Sequence, residues 1–127
     1  MNLFTENVIP GSWDGEIEIS SIKGKTDWMR LIEALPCGDG VIEVGFEYNG
    51  ASVGPLRFAF PKWKHPISTA RHDKRCNVAQ TYKKSNRAEY KRLRKIADDM
   101  FKVDVGVGGT WLEQQVGYIG VRLGSIF

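Results

Sequence analysis

Residues 67–82 read ISTARHDKRCNVAQTY, and this stretch, from Ile67 to Tyr82, decides the fold. It predicts the first long helix of the chain, entered from a proline-bounded connector that Pro66 closes. Wound at 3.6 residues per turn, Arg71, Lys74 and Arg75 fall on one side. Thr69, His72, Asp73, Cys76 and Ala79 fall on the other. The cations are the natural solvent face. That turns a histidine and a carboxylate inward, where ionisable groups are costly unless paired or useful. An acidic pair, Asp98-Asp99, lies on the next predicted helix. Together these residues supply the types needed for a general base, a metal ligand and a His-orienter. A polar cluster that merely ties two helices together needs the same residues, so spacing leaves both readings open.

Upstream, the chain reads as strands. Residues 16–22, EIEISSI, alternate polar and apolar and meet a turn at Lys23-Gly24-Lys25. Trp28 to Ile32 is a second short apolar run. Residues 36–40, PCGDG, form a turn by composition, and residues 41–48, VIEVGFEY, follow as a third strand. A small antiparallel sheet is expected. Residues 49–55, NGASVGP, are a tight loop of small residues. Leu56 to Phe60 is a brief apolar segment before the connector that holds Trp63 and His65.

Downstream, a second helix begins near Asn86, with Glu89 placed for a capping box and Leu93, Ile96, Ala97 and Met100 as its apolar stripe. Asp98 and Asp99 flank that stripe on opposite edges, so periodicity does not choose between them. Residues 105–109, VGVGG, lack the preceding strand and following Lys-Ser/Thr of a phosphate loop and read as a flexible connector. A third helix starts at Thr110, with Glu113 completing a capping box. Its stripe is Leu112, Val116, Ile119 and Leu123, its stop Gly124. Gly117, Gly120 and Gly124 leave one side flat for close packing. The fold class is therefore α+β in one domain spanning 1–127: residues 1–48 mainly β, 49–66 loop and connector, 67–124 mainly α. His65 reads as surface, Trp63 and Trp111 as packing residues, and Cys76 as buried.

At 127 residues, 42% hydrophobic and 26% charged, the chain has an ordinary globular balance. The N-terminus lacks the basic start and apolar run of a signal peptide, and no stretch approaches the roughly 20 apolar residues of a membrane span. Cys37 and Cys76 have no metal-type spacing; they read as free thiols of a reducing cytoplasm, with a single bridge left open. The net charge of +3 hides an uneven distribution: residues 61–95 hold 12 Lys/Arg and 2 Asp/Glu, the remainder 6 and 13. Such a basic patch attracts anions, including membrane-surface headgroups, or docks on the acidic half of another copy. No helix-turn-helix, zinc or RNP-type signature marks nucleic acid as the partner.

The order of motifs resembles the small phage and prophage family known as domain of unknown function 1353. The matching stretches are residues 45–53 (GFEYNGASV), the Ala-x-His-Asp helix at Ala70 to Asp73, residues 97–101 (ADDMF) and residues 118–124 (YIGVRLG), across roughly residues 14–124. Three features depart from that pattern. Asn49 stands where the family's loop has Asp. Pro55 is displaced by one position. Lys74 and Arg75 replace aromatic residues after the His-Asp pair. The His-Asp helix also resembles, more weakly, that of bacterial and fungal secreted phospholipases of the sn-2-specific type.

That second resemblance implies His72 as the base that activates water, Asp98 as its orienter, and Asp73 with the Asn49-Gly50 loop as calcium ligands. Asn49 brings no charge, and calcium affinity follows ligand charge, so weak calcium binding is expected and no cofactor is required. The expectation is a phage or phage-derived virion component, tail-associated, with a degenerate phospholipase-like site. Its partners would be other virion proteins and copies of itself. It would be made in the host cytoplasm and then carried in the particle. The alternatives are a calcium-dependent lipid-ester or cell-envelope hydrolase and a non-structural host-directed phage protein.

Overall fold

The computed structural model describes residues 2–5, 19–22, 25–48 and 65–125. Within them an antiparallel β region precedes three helices, the α+β arrangement expected. β1 (Ile19–Ile22), β2 (Lys25–Leu31) and β5 (Glu47–Tyr48) form one sheet in the order β1-β2-β5. Ile19 faces Leu31 across the first pair, and Met29 faces Tyr48 across the second. β3 (Leu35–Cys37) and β4 (Gly40–Ile42) make a separate hairpin.

The single strand expected over residues 41–48 is broken. Glu43 to Phe46 turn sharply, with Gly45 at φ 94°, a region that glycine enters without steric cost. The Gly45 N–H donates to Leu31 O (2.8 Å), and the Leu31 N–H donates to Phe46 O (2.9 Å). The turn thereby delivers Phe46 and Tyr48 to the core, their rings stacked at 5.9 Å. Residues 16–18, 23–24 and 49–64, with Trp63 and the Asn49-Gly50 loop, lie outside the described residues.

Three helices follow: α1 (Pro66–Gln80), α2 (Arg87–Gly108) and α3 (Trp111–Gly124). α2 packs against both of the others. Both cap signals work in part or in full. The Asn86 side chain accepts from the Glu89 N–H at 3.1 Å, but Glu89 turns its carboxylate to Arg92. Thr110 and Glu113 close the full reciprocal box.

α2 runs through residues 105–108 of the VGVGG stretch that reads as a connector and stops at Gly109, whose backbone is extended. Two buried side chains hold it helical: Val105 in the core with Phe101 and Val121, and Asp104 against α1. Glycine's lower helix propensity, about 1 kcal/mol per residue, is overridden by that packing. Gly106 also admits a neighbour: a Cβ there would run into Gln114 Nε2, and that amide donates to Lys102 O at 2.9 Å.

The α1 faces differ from the expected ones. Arg71 and Arg75 are buried, at 0% and 1% exposure. Arg71 Nε donates to Pro36 O (2.8 Å) and Arg75 Nε to Leu3 O (2.7 Å). Asp104 sits between the two guanidiniums at 3.7 and 3.6 Å. The buried positions Ser68, Arg71, His72, Arg75 and Ala79 follow an i, i+3, i+4, i+7, i+11 stripe, the helical spacing of a core-facing side, with cations where apolar residues are usual.

α3 is also turned from its expected phase. Glu113, Gly117, Gly120 and Val121 are buried, while Leu112, Ile119 and Leu123 are exposed. The flat glycine side packs inward as anticipated, except for Gly124, which is exposed. Trp111, expected to be a packing residue, is 73% exposed. His65, expected at the surface, is 1% exposed, with Nε2 3.5 Å from Glu113 Oε2. Gly109 makes room for it: a Cβ there would meet His65 Cε1 at 2.8 Å. No described helix is long and apolar enough to cross a membrane.

Candidate functional site

His72 and Asp98 meet where α1 crosses α2. His72 Nε2 lies 2.6 Å from Asp98 Oδ1, and both side chains are buried. A carboxylate only accepts, so Nε2 carries the proton. Asp99 is not the partner. It is half exposed, receives Lys95 Nζ at 2.6 Å and accepts from the Tyr118 hydroxyl at 2.8 Å. The choice of Asp98 over Asp99, which periodicity left open, is thus made by geometry.

Asp98 has two further donors. Arg94 Nε donates to Oδ1 at 3.1 Å from one turn earlier on α2, and Arg122 donates through NH1 to Oδ2 at 2.8 Å from α3. Arg94 NH2 also donates to the Val121 carbonyl at 3.1 Å. One fully buried carboxylate therefore joins α1, α2 and α3. The Arg94–Asp98 pair was visible as an i, i+4 spacing. Arg122 lay within the Tyr118 to Gly124 motif but carried no role. The inward turn of Arg71 and Arg75 toward Asp104 had no sequence signal beyond the paired opposite charges.

Burial, the largest influence, lowers the His72 pKa from its ordinary value. The bond from Asp98 opposes this, and the positive fields of Arg94 and Arg75 reinforce it. The imidazole is neutral at pH 7, its Nδ1 lone pair facing away from Asp98. Phe101 packs on the ring at 4.9 Å. Asp73 Oδ1 lies 4.0 Å from Nδ1, too far for a direct hydrogen bond. Burial pushes the Asp73 carboxyl up to about 7, against the pull of Arg94.

Cys76, expected buried, is half-buried. Its Sγ is 3.4 Å from His72 Nε2 and 3.8 Å from Nδ1. Burial raises its thiol to about 12, so it is no thiolate nucleophile. Both cysteines are free. His72, Cys76 and Asp98 bring their ligand atoms within 4.8 Å of one another. Asp98 is already matched by two guanidiniums, however, and a cation placed there would face both.

A cleft of about 260 Å³ opens beside this cluster, lined by Trp28, Glu47, Tyr48, Asp73, Cys76 and Asn77. His72 is not among its lining residues. Calcium takes six to eight oxygens; the carboxylates among the described lining of the cleft are Asp73, half-protonated near neutral pH, and Glu47, whose Oε2 is held by Arg30 at 2.9 Å. Asn49 and Gly50, the other expected ligands, lie outside the described residues. Comparison of the chain with family models, with curated proteins and with solved structures gives no match.

Proposed function

We propose that the chain is a component of a phage or phage-derived particle, tail-associated, in which the His-Asp pair serves as a structural lock and not as a hydrolytic centre. The observation that supports the lock is Asp98: a fully buried carboxylate bonded by His72, Arg94 and Arg122 from three helices. Together these bonds tie three helices to one carboxylate. The phage setting comes from the ordered motif resemblance, and three of its motifs, at His72, Asp98 and Arg122, meet at this one carboxylate. The split between acidic and basic regions favours contacts with other particle proteins or with further copies. Mass spectrometry of gradient-purified particles tests the reading. Stoichiometric presence in particles is expected. Abundance in infected lysate with absence from particles would contradict it.

One observation favours a second reading, a lipid-ester hydrolase. Asp98 fixes the Nε2–H tautomer of a neutral His72, which leaves Nδ1 as a base on the side of Asp73. Mixed-micelle phospholipid, with millimolar calcium and with chelator, separates the two. The lock predicts no fatty-acid release above a His72→Ala control in either condition. Release that requires His72 would establish the hydrolase.

A further inference from the structure

A second cavity, of about 340 Å³, lies between the start of α2 and the end of α3. Its described lining is Arg87, Tyr90, Lys91, Arg94, Arg122 and Ser125, four cations with no acidic residue among them. Arg87, Lys91 and Arg94 stand at i, i+4 and i+7 on α2, so they share one face. Like charges at these spacings weaken a helix. Cations in its first turn weaken it further, because the N-terminal end of the dipole is positive. Arg87 is the first residue of α2. Among the described residues, Arg87 and Lys91 have no ion-pair partner. Arg94 and Arg122 both pair with Asp98, which is not among the lining residues. Arg122 is 35% exposed, so part of its guanidinium faces solvent. The arrangement opposes the stability of the empty helix end and suits a multiply charged oxyanion, which guanidinium groups bind through paired, charge-assisted hydrogen bonds.

We infer that this cavity binds a phosphate-type oxyanion, held by Arg87, Lys91 and Arg122 with Arg94 behind them. The site is separate from the cleft beside Asp73 and does not depend on the proposed particle role. The same phosphate chemistry occurs in a free phosphate ester and in an anionic lipid headgroup, and two probes distinguish them.

The full chain is titrated with inorganic phosphate by calorimetry at constant ionic strength, and separately with phosphatidylglycerol and phosphatidylcholine vesicles. Arg87→Ala/Lys91→Ala removes two exposed side chains, and circular dichroism checks that the fold persists. Lys84→Ala, which removes one exposed charge outside the cavity, is compared with Lys91→Ala. Saturable phosphate binding, weakened about tenfold or more in the double variant and unchanged in Lys84→Ala, supports the site. If phosphatidylglycerol vesicles bind with the same loss and phosphate alone does not, the occupant is a lipid headgroup. No saturable binding of either probe overturns the inference. So does binding that survives the double variant, or binding that Lys84→Ala weakens as much as Lys91→Ala.

Discussion

Asp98 and Asp73 are both carboxylates beside the same imidazole, and their surroundings give them opposite roles. Asp98 is matched by two guanidiniums and a histidine N–H; at Asp73 burial outweighs the pull of Arg94. The pH response of Asp73 follows. In the folded chain it keeps its proton up to about pH 7, whereas an unperturbed Asp loses it near 3.8. Between those values the folded state binds more protons than the unfolded one, so this carboxyl makes the fold weaker as pH rises. Asp73→Asn removes that dependence. Urea midpoints should show wild type losing ground to Asp73→Asn between pH 4 and pH 7; because the side chain is 29% exposed, solvent screening keeps the effect modest. Parallel midpoints across that range would contradict it. His72 has the opposite sign: its lowered pKa means that the unfolded chain takes up the proton first, so this group costs stability as pH falls below about 6.5. The sequence named His72, Asp73 and Asp98, but not Arg94 and Arg122. Cations on a helix face read as solvent-facing until the buried carboxylate they serve is located in space.

Among the elements, the helix starts at Asn86 and Thr110 were legible because caps depend on neighbouring residues, whereas the break of the strand expected over residues 41–48 was not. Thr110 and Glu113 made the box their spacing announced, and Thr110→Ala should cost about 1 kcal/mol in chemical denaturation. What could not be read was which face of α1 and α3 turns inward. Stripe arguments assume that apolar residues go in. Here Arg71 and Arg75 enter with Asp104, and α3 buries Gly117 and Gly120, leaving Leu112 and Ile119 outside. Close approach through glycine and charge pairing across helices are tertiary facts, as is the helical course of residues 105–108. The β3–β4 hairpin has a similar dependence. Gly38, at φ 61°, lies where a Cβ would be 2.5 Å from Asn2 O. Gly38→Ala therefore combines strain with a backbone clash and should lower stability by more than about 1 kcal/mol. An unchanged urea midpoint would mean that the N-terminal segment gives way freely.

At the scale of the whole molecule, polar groups take over part of the work usually left to the apolar core. Asp104 joins α2 to the two arginines of α1, and Asp98 joins α1, α2 and α3. The proposed lock needs no calcium, so it predicts that millimolar calcium leaves the unfolding midpoint unchanged; a marked rise would reveal a calcium site completed by residues beyond those described. A lock at Asp98 should matter to the entire helical half, because removing its charge leaves Arg94 and Arg122 facing each other without an anion. Breaking a buried ion pair by deleting one partner costs about 3–5 kcal/mol. Urea unfolding of Asp98→Asn against wild type is the most direct measurement of the claim. The lock predicts a loss of that size, or a chain already unfolded without urea. A loss below about 1 kcal/mol, with cooperativity unchanged, would contradict it and return the His-Asp pair to the hydrolytic reading.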